Sequence, residues 1–124
     1  MVFRDNPPIH LQIANHLCEH ILLKKLNSGD SIPSVKEMAV NIEVNPNLVR
    51  RTFNYLEDKD IISNKQGQGY FISEDSFHKT RIIRKGDFVK NELMRLFKEM
   101  SLLSLSMEEV NVYYLHYTNN QPKF

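Results

Sequence analysis

The sequence predicts a mainly α fold of three helices and a β-hairpin, followed by a two-helix tail. Three observations carry this reading. Apolar residues recur at spacings of three and four in five separate segments, the period of one helix face. Residues 61–72 read instead as two short β-prone runs around a glycine-bearing loop. Between the periodic segments fall the residues that start and stop helices: proline, glycine, asparagine and serine.

The first helix is expected over residues 8–26. Ile9, Ile13, Leu17 and Ile21 are four apart, and Leu22 and Leu26 extend the stripe. Pro7 and Pro8 suit a helix start, where a missing N–H costs little. Asn27-Ser28-Gly29-Asp30 ends it with turn chemistry, and Ser31-Ile32-Pro33 leaves room only for a short extended piece. Ser34 followed by Glu37 is a capping box, in which the hydroxyl and the carboxylate each satisfy a free backbone N–H. A short second helix should run from Ser34 or Val35 to about Ile42, with Val35, Met38, Ala39 and Ile42 inward.

Glu43-Val44 is a tight link. Asn45 caps a third helix, with Pro46 in its first turn. Val49, Phe53 and Leu56 form its buried stripe, and Asn47, Arg50, Arg51 and Asn54 lie opposite. Ile61-Ile62-Ser63-Asn64-Lys65 and Tyr70-Phe71-Ile72 then flank Gln66-Gly67-Gln68-Gly69, a hairpin signal. Helix, helix, turn, helix, hairpin is the order of a winged helix-turn-helix, which places this domain at residues 1–73.

The remainder, residues 74–117, is expected to be helical and to serve dimerisation. Ile82, Val89, Leu93, Leu96, Met100 and Leu103 step close to a heptad seam, with Gly86 as a bend. Ser104-Leu105-Ser106 interrupts, and Ser106 with Glu109 makes a second capping box for a helix to about Tyr117. Residues 118–124 are polar, contain a proline and should fray. The tail holds more apolar surface than one helix pair can hide. Val89, Leu93, Leu96, Phe97, Met100, Leu103, Val110 and Tyr114 are the expected contacts with a second copy, the alternative being that these helices fold back on their own domain.

With 124 residues, the chain fits one compact domain, or a small domain with an appendage. The single cysteine, Cys18, excludes an internal disulfide, which suits a reducing cytosol. The N-terminus lacks a signal peptide's apolar run and no stretch is long enough to span a bilayer, so the expected location is cytoplasmic. Net charge is +1, and residues 1–73 hold eight Lys/Arg and eight Asp/Glu. A nucleic-acid reading must therefore rest on where the cations sit.

Their placement supports double-stranded DNA. The major groove admits one α-helix, and in a helix-turn-helix the second helix lies in it. Asparagine can pair with adenine and arginine with guanine. Asn45, Asn47, Arg50 and Asn54 sit on the start and outer face of that helix, and Arg51, rotated by about a third of a turn, suits a phosphate. Ser34 and Lys36 open the second helix where backbone N–H groups attract phosphate. Lys65, Gly67 and Gln68 mark a wing tip able to approach the backbone or minor groove.

The string Pro33-Ser34-Val35-Lys36-Glu37-Met38-Ala39, then Val44-Asn45-Pro46-Asn47-Leu48-Val49, then Leu56-Glu57 and Gly67-Gln68-Gly69-Tyr70-Phe71, resembles the GntR family of regulators. The Val-Asn-Pro-Asn and the short tail resemble its YtrA-like branch. The resemblance covers residues 8–72 closely and the tail loosely. It implies a homodimeric DNA-binding repressor with a small two-helix dimerisation region, often controlling a neighbouring transport operon. Carried over by position, the DNA-contacting set is Lys36, Asn45, Asn47, Arg50, Arg51 and the wing around Gly67. Three departures stand out: Lys36 where the family often has arginine, Leu48 for a small hydroxyl residue, and Ser104 near a usual glycine.

Other chemistry finds little footing. His16 and His20 have a spacing that metal sites use, but no third ligand lies nearby, and an ordinary helix surface explains them. No nucleophile–base order, phosphate-binding loop or dinucleotide fingerprint occurs, so neither an enzyme nor a cofactor is expected. A small-molecule effector is compatible with a tail that closes at a dimer interface, though no residue cluster marks its pocket. The rival reading is a winged-helix module that binds protein, which the balanced charge of residues 1–73 favours.

Overall fold

The computed structural model describes residues 7–121. Residues 1–6 of the predicted first domain and 122–124 of the predicted frayed end lie outside them. The chain divides after Ile82 into two compact units.

The first unit holds α1 (Ile9–Leu22), β1 (Ser31–Ile32), α2 (Val35–Asn41), α3 (Pro46–Asp58), β2 (Ile62–Lys65) and β3 (Gly69–Ile72), and it takes in the start of α4 (Ser76–Asp87). The strands make an antiparallel sheet in the order β1-β3-β2. Ile32 lies opposite Tyr70 and Ile62 opposite Ile72, so the sheet turns these side chains to one face. The extended piece read from the sequence is thus a third strand of the wing's sheet, two residues long.

The first helix is shorter and rotated relative to expectation. Lys24 enters the left-handed region (φ 60°), and the Lys25 and Leu26 N–H groups both reach the His20 carbonyl, closing the helix after Leu22. Its fully covered line is Ala14, Cys18 and Ile21; Ile13 and Leu17 are half-buried and Ile9 is exposed. The reason is close approach to α3. The Thr52 hydroxyl lies 3.0 Å from the His10 carbonyl oxygen and 2.8 Å from that of Leu48. Small side chains at 14 and 18 leave room for that approach, which an isoleucine stripe would block.

α2 buries Met38 and Ala39, but Ile42 is exposed, because it is the cap residue, already off helical phase (φ −104°, ψ 6°). α3 buries Val49, Phe53 and Leu56 as expected, together with Thr52. The first compact unit runs past residue 73 to Ile82. Ser76 and Thr80 are buried, Ser28 Oγ lies 3.5 Å from Ser76 Oγ, and Lys24 Nζ stands 5.1 Å from the Phe77 ring centre. The opening turns of α4 therefore belong to the first unit.

The second unit contains the end of α4, a π-helical turn (Phe88–Leu93), α5 (Met94–Leu103) and α6 (Met107–Asn120). Gly86 stays within α4, and the helix changes its winding just after it, at this π turn. Ser104 is left-handed (φ 53°) and ends α5, and Ser106 caps α6 through the predicted box, with Glu109 N–H 3.1 Å from its Oγ. α6 extends past Tyr117 to Asn120. Thr118 Oγ1 donates to the Leu115 carbonyl and Asn120 Nδ2 to that of His116, which holds the turn expected to fray.

Candidate nucleic-acid interface

The candidate residues lie at the start of α2, along the outer face of α3 and at the tip of the β2–β3 hairpin. Ser34 is extended (φ −63°, ψ 165°), and its Oγ accepts from Glu37 N–H at 3.1 Å. Glu37 Oε1 accepts in return from Ser34 N–H at 3.3 Å. The predicted capping box is thus complete. Lys36, one residue into the helix, is exposed and has no ion-pair partner among the described residues.

The start of α3 is more tightly specified. Asn45 Oδ1 accepts from Asn47 N–H at 2.8 Å, and Pro46 fills the first helical position. One turn on, Arg50 Nη1 donates to Asn47 Oδ1 at 2.9 Å. Arg51 and Asn54 are exposed and make no side-chain hydrogen bond to the described residues. The opposite face of α3 is anchored. Val49, Phe53 and Leu56 are fully buried, and the Phe53 ring meets Tyr70 of β3 edge-on, 4.7 Å between centres. The helix that presents Asn47 and Arg50 is thereby fixed to the sheet that carries the wing.

At the wing tip, the Gln68 N–H bonds the Lys65 carbonyl at 2.8 Å, closing a tight turn. Gly67 has φ 77°, the left-handed value a type II turn demands at its third residue. An added Cβ there would meet nothing within 4 Å, so the glycine is required by backbone angle and also leaves the tip bare. Lys65 Nζ stands 4.7 Å from the Phe71 ring centre, a cation–π contact that holds the cation against the outer face of the sheet.

All ten residues nominated from the sequence (Ser34, Lys36, Asn45, Asn47, Arg50, Arg51, Asn54, Lys65, Gly67 and Gln68) are exposed. None is drawn into the core. Thr52 and Tyr70 escaped nomination, although they fix the helix that carries four of the ten. Their signal was weak, since a threonine one step from Phe53 reads as part of a polar face. In the tail, Val89, Leu96, Phe97, Leu103 and Tyr114 are exposed, and Leu93 and Val110 half-buried. Met100 departs from this set: it is buried within the chain and has little surface left to give a partner. The His16 and His20 rings lie 4.6 Å apart on α1, tilted by 57°, and among the described residues no three His, Cys, Asp or Glu converge to hold a metal ion.

Comparison with known proteins agrees with this geometry. Residues 9–72 match the family described as bacterial regulatory proteins, gntR family. The chain is 38% identical over 113 residues to YhcF, an HTH-type transcriptional regulator of Bacillus subtilis (strain 168), covering 87% of this chain and 88% of that protein. It is 32% identical over 109 residues to the HTH-type transcriptional repressor YtrA of the same organism, covering 87% and 82%. Among solved structures, a GntR-family transcriptional regulator from Bacteroides thetaiotaomicron superposes with a TM-score of 0.76 at 34% identity, over 93% of this chain and 100% of that one.

Proposed function

The chain belongs to the GntR family of bacterial regulatory proteins, and from that premise we propose that it is a homodimeric repressor that recognises a specific double-stranded operator near its own gene. DNA-binding transcription regulation is the family's activity. The finer reading rests on one observation: a doubly anchored helix, α3, presents Asn47, Arg50, Arg51 and Asn54 to solvent while its other face is fully buried.

In this reading α3 enters the major groove. Arg50 reads guanine through its paired donors, Arg51 and Lys36 take phosphates, and Lys65 and Gln68 bring the wing to the backbone. The balanced charge of residues 1–73 no longer favours a protein-binding module. Lys36, Arg50, Arg51 and Lys65 are all exposed, and local placement decides steering more than the total. No observation supports the protein-binding alternative.

Repression is carried over from the relative named as a repressor, and a transport operon from the resemblance to its branch. The dimer reading is supported by the tail, where Val89, Leu96, Phe97, Leu103 and Tyr114 are exposed and a second copy would cover them. An effector, where one acts, sits in that apolar interface. The working compartment is the cytoplasm, where the DNA lies; no helix among the described residues is long and apolar enough to cross a membrane.

The test is a footprint and band shift on the DNA upstream of the gene. A dimer protects a near-palindrome with half-sites about one helical turn apart, or a multiple of it. Arg50→Ala should weaken that complex about tenfold or more. Binding that is blind to sequence, or unchanged in Arg50→Ala, would overturn the proposal.

A further inference from the structure

The hydrogen bonds at the start of α3 divide labour among its asparagines in a way that residue type alone does not reveal. Three asparagines face outward, at 45, 47 and 54. Any of them could form the paired contact to adenine, which needs one amide oxygen and one amide nitrogen. Two are already engaged. The Asn45 oxygen accepts the Asn47 N–H at 2.8 Å, and the Asn47 oxygen accepts Arg50 Nη1 at 2.9 Å. Chemistry fixes both assignments: a backbone N–H and a guanidinium can only donate, so each must face an oxygen.

We infer that Asn47 is a positioning residue whose amide oxygen holds the Arg50 guanidinium in place to read a guanine, and that direct reading of adenine falls to Asn54. The inference rests on the operator-binding reading above. Arginine reads guanine with two parallel donors in a plane, and a flexible side chain loses rotamer freedom when it takes up that geometry. A bond to Asn47 settles part of that loss before DNA arrives. The fork keeps its other N–H donors for the base, since a guanidinium carries five. Asn54 lies one turn beyond Arg50 on the same face, and its amide bonds no other described residue, so oxygen and nitrogen are both available. Four residues of helix rise about 6 Å, so the two bases read should lie roughly one to two base pairs apart.

The experiment measures base preference as well as affinity. The full-length protein and its Asn47→Ala, Asn47→Asp, Arg50→Ala and Asn54→Ala variants are each selected against a randomised half-site, then titrated on single-base variants of the winner. All three positions are exposed and none supplies the Asn45 cap, so the variants should fold, which circular dichroism checks.

Arg50→Ala should abolish preference at one guanine. Asn47→Ala should cut preference at that same guanine about tenfold. Asn47→Asp, which keeps an acceptor facing Arg50, should restore it even as the added negative charge lowers overall affinity. Adding Asn47→Ala to Arg50→Ala should change the preference no further. Asn54→Ala should lose an adenine instead. Loss of an adenine in Asn47→Ala, or preference in that variant equal to wild type, would overturn the inference. If Arg50→Ala itself keeps every preference, it is the operator-binding reading that fails.

Discussion

The two units solve the problem of burying apolar surface in opposite ways. The first closes on itself: among the described residues, every buried hydrophobic one except Met100 lies between Ala14 and Ile72. The second leaves its apolar residues open: of the large hydrophobics exposed among the described residues, all but Ile9, Val40, Ile42 and Ile82 lie at Phe88 or beyond. Each unit contains a helix opened by a complete capping box, α2 in the first and α6 in the second, so local helix signals do not account for the contrast. The difference is what each helix finds to pack on. α3 has α1, α2 and β2 against it. α6 carries Tyr113, Tyr114, Leu115 and Tyr117 with none of them buried. One region covers its apolar residues within the chain, and the other leaves them exposed.

The most severe way to break this contrast is to remove the centre of the first unit. Phe53 is fully buried and meets Tyr70 across the helix–sheet contact. Phe53→Ala should cost about 3–5 kcal/mol, a large share of the roughly 5–15 kcal/mol that keeps a domain folded. Urea denaturation followed by circular dichroism measures it. A loss below about 1 kcal/mol would mean that the ring is not the keystone the packing makes it.

The second test charges the open face of the tail. Phe97→Glu should leave the first unit folded and turn a dimer into a monomer in sedimentation velocity. Affinity for the full palindrome should then fall by about a hundredfold, since linking two binding events multiplies their strength by that order or more, while affinity for an isolated half-site stays the same. A variant that still sediments as a dimer would show that another surface joins the copies.

A smaller effect separates reading from holding on the DNA side. Arg51 lies off the Asn47–Arg50–Asn54 line and has no side-chain partner among the described residues. Arg51→Ala should weaken binding to all sequences alike and reduce the slope of log affinity against log salt by about one. A change in base preference would move Arg51 into the reading set.

How much of this was legible in the sequence varies with the range of the forces involved. The capping boxes at Ser34 and Ser106, the Asn45–Pro46 start of α3 and the glycine turn at Gly67 were all readable, because each is a bond between residues within a few positions. The rotation of α1 was not. Its covered line runs through Ala14 and Cys18, weak apolar signals chosen because α3 comes close. The pairing of β1 with β3 joins residues some forty positions apart over only two residues, too little pattern to read. At the site, every nominated residue is exposed where expected, but residue type could not tell Asn47 from Asn54. That distinction lies in a side-chain hydrogen bond.

The gentlest prediction tests whether the tail's turn is tuned as well as the recognition unit's. Ser104 adopts φ 53°, and the Leu105 N–H reaches back to the Met100 carbonyl at 2.9 Å, an arrangement in which glycine is the favoured residue. A non-glycine residue costs about 1–2 kcal/mol in this left-handed region, and glycine returns about 0.5–1 kcal/mol of that by making the unfolded chain more flexible. Ser104→Gly should therefore stabilise the tail by about 0.5–1 kcal/mol. Because the tail is expected to be ordered by dimerisation, the gain should appear as a higher Tm and a tighter dimer together. Gain in Tm with an unchanged dimer constant would mean that the α5–α6 turn is already formed in the monomer, and that the two regions differ only in what covers them.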